Sequence, residues 1–64
     1  MFKIQYNVSG LWYDYNFLFQ TEWAANVKAR ALHDSMYIDV VVVETKTNLV
    51  IAHYFTTDWG RQES

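Results

Sequence analysis

The sequence predicts an α+β domain: a single four-stranded antiparallel sheet, ordered β-β-α-β-β along the chain, with one helix packed on one face. Three observations predict it. Apolar and polar residues alternate over 2–8 and again over 11–19. A threonine-capped, alanine-rich segment follows at 21–35. Two runs dense in β-branched and aromatic residues, 37–44 and 49–56, then flank the short segment "TKTN".

In the first strand Phe2, Ile4, Tyr6 and Val8 share one face, and Lys3, Gln5 and Asn7 the other. Ser9-Gly10 supplies the turn, because glycine accepts a positive φ without steric cost. In the second strand Leu11, Tyr13, Tyr15, Phe17 and Phe19 oppose Trp12, Asp14, Asn16 and Leu18. Thr21 is an N-cap whose hydroxyl can accept from a first-turn N–H, and Glu22 suits the positive end of the helix dipole. On the helix, Ala24, Ala25, Val27, Ala29, Ala31 and Leu32 form the arc expected to meet the sheet. Glu22, Asn26, Arg30, His33 and Asp34 form the solvated arc. Lys28 falls inside the apolar arc, where its stem can cover the sheet edge while its ammonium reaches water. Thr45-Lys46-Thr47-Asn48 fits a type I turn followed by a left-handed residue, with asparagine in the left-handed place. That turn sets an expected register of Val43 to Ile51, Val42 to Ala52, Val41 to His53, Val40 to Tyr54 and Asp39 to Phe55.

Sixty-four residues make one domain, read here as residues 1–60, with 61–64 expected to fray beyond Gly60. A hydrophobic share of 52% with 19% aromatic residues excludes an intrinsically disordered chain. No apolar run reaches membrane-spanning length and no secretory leader is visible, so a cytoplasmic protein without membrane contact is expected. The absence of cysteine excludes disulfides and thiolate metal sites. Net charge is −2, and Lys3, Lys28, Arg30, Lys46 and Arg61 are scattered rather than gathered into a phosphate-binding stripe.

One helix covers one face of a sheet. With Ile38, Val40, Val42, Val50, Ala52 and Tyr54 placed under the helix, the reverse face presents Val41, Val43, Ile51, His53 and Phe55, joined by Trp12 and Leu18. So apolar a face on a monomer signals an interface with another protein or with a second copy. The alternatives are that one strand has the opposite parity, or that the tail folds back and Trp59 covers the patch. Interface energy concentrates in Trp, Tyr and Arg. The expected partner-binding residues are therefore Trp12, Trp23, Arg30, Val41, Val43, Ile51, His53, Phe55 and Trp59. Trp23 lies away from the alanines, either as a second contact surface or folded against the helix start or the "DWG" segment.

Catalytic chemistry finds little support. The two glycines, Gly10 and Gly60, cannot form a phosphate-cradling loop. His33, Asp34 and Ser35 are neighbours on a helix, point about 100° apart, and read as a polar helix end. His33, His53 and Asp39 show no ligand spacing, so neither metal nor cofactor is expected. His53 could give an interface a pH response. Base stacking on Trp12, Tyr37 and Phe55 is the alternative function, a nucleic-acid-binding domain, against which the scattered basic residues count.

The strand "FKIQYNV", the helix "TEWAANVKARAL" and the hairpin "VVVVETKTNLVIAHYF", with Thr47-Asn48 where many such proteins read T-G, resemble the small β-β-α-β-β proteins encoded by bacteriophages, some anti-CRISPR proteins among them. The resemblance implies a stoichiometric inhibitor that binds a host protein, such as a subunit of a defence or transcription complex. It carries no catalytic motif.

Overall fold

The computed structural model describes residues 1–56. Within them the chain forms strands β1 (Phe2–Val8) and β2 (Leu11–Phe19), helix α1 (Glu22–Met36), and strands β3 (Val40–Glu44) and β4 (Leu49–Tyr54). The strands make one antiparallel sheet in the order β2-β1-β3-β4, with α1 across one face. The chain has the α+β fold its sequence predicts. The N-terminal strand is central, and β2 and β4 are the two edges. Trp59, Gly60 and residues 61–64 lie outside the described residues.

Local chemistry sets each boundary. Ser9 (φ 55°) and Gly10 (φ 88°) both take positive φ, the geometry of the two-residue turn that matches strand twist. The Gly10 N–H donates to Asn7 Oδ1 at 3.1 Å. Thr21 Oγ1 accepts from the Ala24 N–H at 3.1 Å, which caps α1 as expected. The helix ends where Tyr37 turns left-handed (φ 55°) and its N–H donates to the His33 carbonyl at 2.8 Å. This reversal removes Tyr37, Ile38 and Asp39 from the strand predicted to begin at 37. The Thr45–Asn48 turn is as predicted: Asn48 has φ 62° and its N–H donates to the Glu44 carbonyl at 2.7 Å.

Register departs from expectation at two bulges. Val40, Val41 and Val42 pair with Tyr54, His53 and Ala52 as expected, but Val43 pairs with Val50 rather than Ile51. The cause is the turn. Its closing bond fixes Glu44 opposite Leu49, and Ile51 is the extra residue that restores the pattern beyond. Without it, His53 would oppose Val40 on the helix side. Val50 consequently lies opposite Val43 on the reverse face, not under the helix. Asp39 is not a ladder partner of Phe55; its Oδ1 accepts from the Thr56 N–H at 2.8 Å and from Thr56 Oγ1 at 3.0 Å. In β2, the partner steps from Asp14 opposite Gln5 to Leu18 opposite Lys3, so two extra residues sit in β2 and its facing pattern survives.

Ile4, Val40 and Val42 are fully buried against Ala25 and Ala29. Each fully buried Val or Ile contributes roughly 1.5–3 kcal/mol. Phe2, Tyr6, Tyr15, Phe19, Leu32, Ile38, Ala52 and Tyr54 ring this centre. The buried stripe of α1 is Ala25, Ala29 and Leu32; Val27 and Ala31, expected to be inside, are exposed. The helix is turned toward Asn26 and His33, both half-buried, because the two alanines seat it over the central strands. Tyr13 and Phe17, which alternation puts with Tyr15 and Phe19 on the helix side of β2 and so in the layer beneath α1, are instead exposed, since β2 is an edge reaching past the helix.

Candidate partner-binding surfaces

The reverse face of the sheet has three zones. By register, β1 contributes Lys3, Gln5 and Asn7, all polar, at its middle. Gln5 Nε2 donates to Asp14 Oδ1 at 2.8 Å, which widens this polar band onto β2. To one side lie Trp12 and Leu18 at the two ends of β2, both exposed. On the other side lie Val50, His53 and Phe55, with Ile51 at the bulge. The imidazole of His53 stacks on the Phe55 ring, with centroids 4.6 Å apart and planes at 16°. The apolar surface expected to be continuous is therefore split, with β2 and β4 roughly 14 Å apart across three strand spacings.

The expected contact residues fall into distinct places. Val41 and Val43 are 8% and 3% exposed, so they form the floor of the face rather than its reachable surface. Phe55 at 42% and Ile51 at 36% remain accessible, as does His53. Trp23, 75% exposed, and Arg30 stand on the solvent-facing side of α1. Arg30 Nε lies 3.8 Å from Asp34 Oδ2. Lys28 sits as its stem length suggests, with Nζ 5.6 Å from the centre of the Tyr15 ring. The sheet brings Ile51, His53 and Phe55 together; it does not bring them to Trp23 or Arg30.

Two features escaped sequence reasoning. One is the exposed apolar edge of β2, because strand order cannot be read from alternation. The other is a polar knot where α1, β3 and the end of β4 meet. His33 Nδ1 lies 2.9 Å from Asp34 Oδ1, and Nε2 lies 3.0 Å from the Phe55 carbonyl. The Tyr37 hydroxyl donates to the Thr56 carbonyl at 3.0 Å, and Asp39 holds the Thr56 N–H and hydroxyl. Both ring nitrogens of His33 face acceptors, so only the imidazolium can donate to both. The Asp34 carboxylate accordingly holds its pKa above the ordinary 6.5, with the Phe55 carbonyl acting in the same direction against partial desolvation.

At the opposite end, Glu44 Oε1 accepts from the Thr47 N–H at 2.8 Å and its hydroxyl at 3.0 Å, which lowers the Glu44 pKa from its ordinary value. Among the described residues no cavity opens, and no three His, Asp or Glu side chains converge in a metal-binding arrangement. No described helix is long and apolar enough to cross a membrane. No protein-family model, curated protein or solved structure matches the chain.

Proposed function

We propose that this chain is a non-enzymatic protein-binding module whose principal contact is the β4 side of the reverse face: Val50, Ile51, His53 and Phe55. One observation carries the reading. In a small domain whose valine floor is already buried, this cluster of apolar side chains stays exposed beside a stacked His53–Phe55 pair. Aromatic anchors above a packed base, rimmed by polar groups such as Lys3 and Gln5, have the anatomy of a protein-binding hot spot. The resemblance to small phage proteins narrows the reading to a stoichiometric inhibitor of a host defence or regulatory protein, acting in the host cytoplasm. Trp23 and Arg30 on α1 would serve a second contact. Base stacking on the same face has less support, because among the described residues Lys3 is the one cation that register places there.

The test substitutes exposed residues, since aspartate at Val41 would unfold the core. Phe55→Asp and Val50→Asp should each melt within a few degrees of the parent and lose at least tenfold in capture of the parent's partner from host lysate. Undiminished capture by both folded variants sinks the reading. Salt-dependent binding of labelled single-stranded oligonucleotides by the parent would favour the nucleic-acid alternative instead.

A further inference from the structure

Among the described residues β2 has one hydrogen-bonded neighbour, β1. The Asn7 N–H donates to the Asp39 carbonyl at 2.9 Å, so odd-numbered β1 residues bond toward β3 and even-numbered ones toward β2. Their β2 partners are Leu11, Tyr13 and Phe19, opposite Val8, Tyr6 and Phe2. Trp12, Asp14 and Leu18 therefore turn their backbone N–H and C=O groups outward. Edge strands are normally blunted by lysine, proline or shortness. β2 has no lysine, arginine or proline and, at nine residues, is the longest strand. Its one charge, Asp14, is held by Gln5.

We propose that β2 pairs antiparallel with β2 of a second copy, about a two-fold axis at Tyr15, joining the two sheets into one. A two-fold contact must be self-complementary, and "LWYDYNFLF" is so about its centre. Leu11 meets Phe19, Trp12 meets Leu18, Tyr13 meets Phe17, Asp14 meets Asn16, and Tyr15 meets itself. The outward-facing groups of Trp12, Asp14 and Leu18 then fall in hydrogen-bonded pairs, which requires the axis to lie on a residue. An axis on Asp14 would set like charges opposite each other. An axis on Tyr13 or Asn16 would put Asp14 against Trp12 or Leu18 and leave apolar residues unpaired. The bulge between Asp14 and Leu18 is carried by both copies, so the residue count across the axis is conserved.

The exposed area fits a small, reversible contact rather than an obligate one. Trp12, Tyr13 and Phe17 are 49%, 44% and 64% exposed, with Leu11 and Leu18 above half. At ~150–250 Å² per aromatic side chain, the strand offers on the order of 500 Å² per copy before backbone is counted. A standard interface takes roughly 800 Å² per partner. The shortfall makes the dimer concentration-dependent, held by strand pairing as well as by side-chain burial.

Sedimentation equilibrium of the full chain across micromolar to millimolar concentration tests this. The exposed Asn16 lies opposite Asp14 in this register only. Asn16→Lys should tighten the dimer and Asn16→Asp weaken it, each by about tenfold through two symmetric copies of the pair. The combined Asp14→Asn, Asn16→Asp exchange should return it toward the parent. Phe55→Asp should leave the dimer intact, which separates this edge from the proposed partner-binding face. A parent monomeric at millimolar concentration, a dimer indifferent to both Asn16 substitutions, or one abolished by Phe55→Asp overturns the proposal.

Discussion

Among the described residues three non-glycine positions adopt positive φ, and each meets the strain differently. Asn48 is the residue type its place favours, which is why that turn was legible in the sequence. Tyr37 is not; its left-handed backbone is held by the hydroxyl bond to the Thr56 carbonyl and by the nearby His33 ring, at 6.3 Å. No sequence signal marks an aromatic residue as a helix terminator, so the run from 37 looked like strand. Ser9 has no such compensation, and the turn it shares with Gly10 favours Asn-Gly. Ser9→Asn should therefore stabilise the protein by about 0.5 kcal/mol, raising Tm by roughly 2–4 °C. A scanning calorimetry trace with unchanged or lower Tm would contradict that account of the turn.

Among elements, α1 shows where pattern reading stops. Thr21, Glu22 and the alanine content announce the helix and its start. The face it buries was misjudged because six alanine and aliphatic positions spread over a broad arc, while the seated stripe depends on which small residues meet the central strands. Turning that stripe inward leaves Val27 in solvent and Asn26 Oδ1 buried without a hydrogen-bond partner. Ala25 and Ala29, wholly buried, set the distance between helix and sheet. Ala29→Leu should then cost about 1–3 kcal/mol by overpacking, whereas Ala31→Leu on the exposed side should stay within ~0.5 kcal/mol. Equal losses from the two in urea unfolding would show that the seated stripe is different. The β4 bulge was hidden for a related reason: one unbroken register is read from the "TKTN" turn, with Val43 opposite Ile51, whereas the turn's closing bond sets Glu44 opposite Leu49 and an extra residue restores the pairing beyond.

For the whole molecule, the four-strand sheet and single helix were legible from periodicity and turns, whereas strand order was not, because either hairpin could have met the other along several edges. That order decides which apolar residues are floor and which are surface, and so separates Val41 and Val43 from Phe55. It also sets opposite ends of the fold under opposite acid–base control. The raised His33 pKa means its contribution is full below about pH 6.5 and is lost as pH rises through the folded value. The lowered Glu44 pKa means its contribution is full above about pH 4.5 and is lost as pH falls through the folded value. Tm should accordingly be highest between those limits, and His33→Gln should flatten the alkaline decline while leaving the acid limb. An undiminished alkaline decline in that variant would place its origin elsewhere. The central position of β1 has a last consequence, for biosynthesis. As the chain leaves the ribosome, the β1–β2 hairpin is complete long before β3 exists, so β1 waits with its inner edge bare beside the aromatic outer edge of β2. The nascent hairpin is open on both sides during that interval, and chaperone contact or co-translational pairing between neighbouring ribosomes would be felt there first.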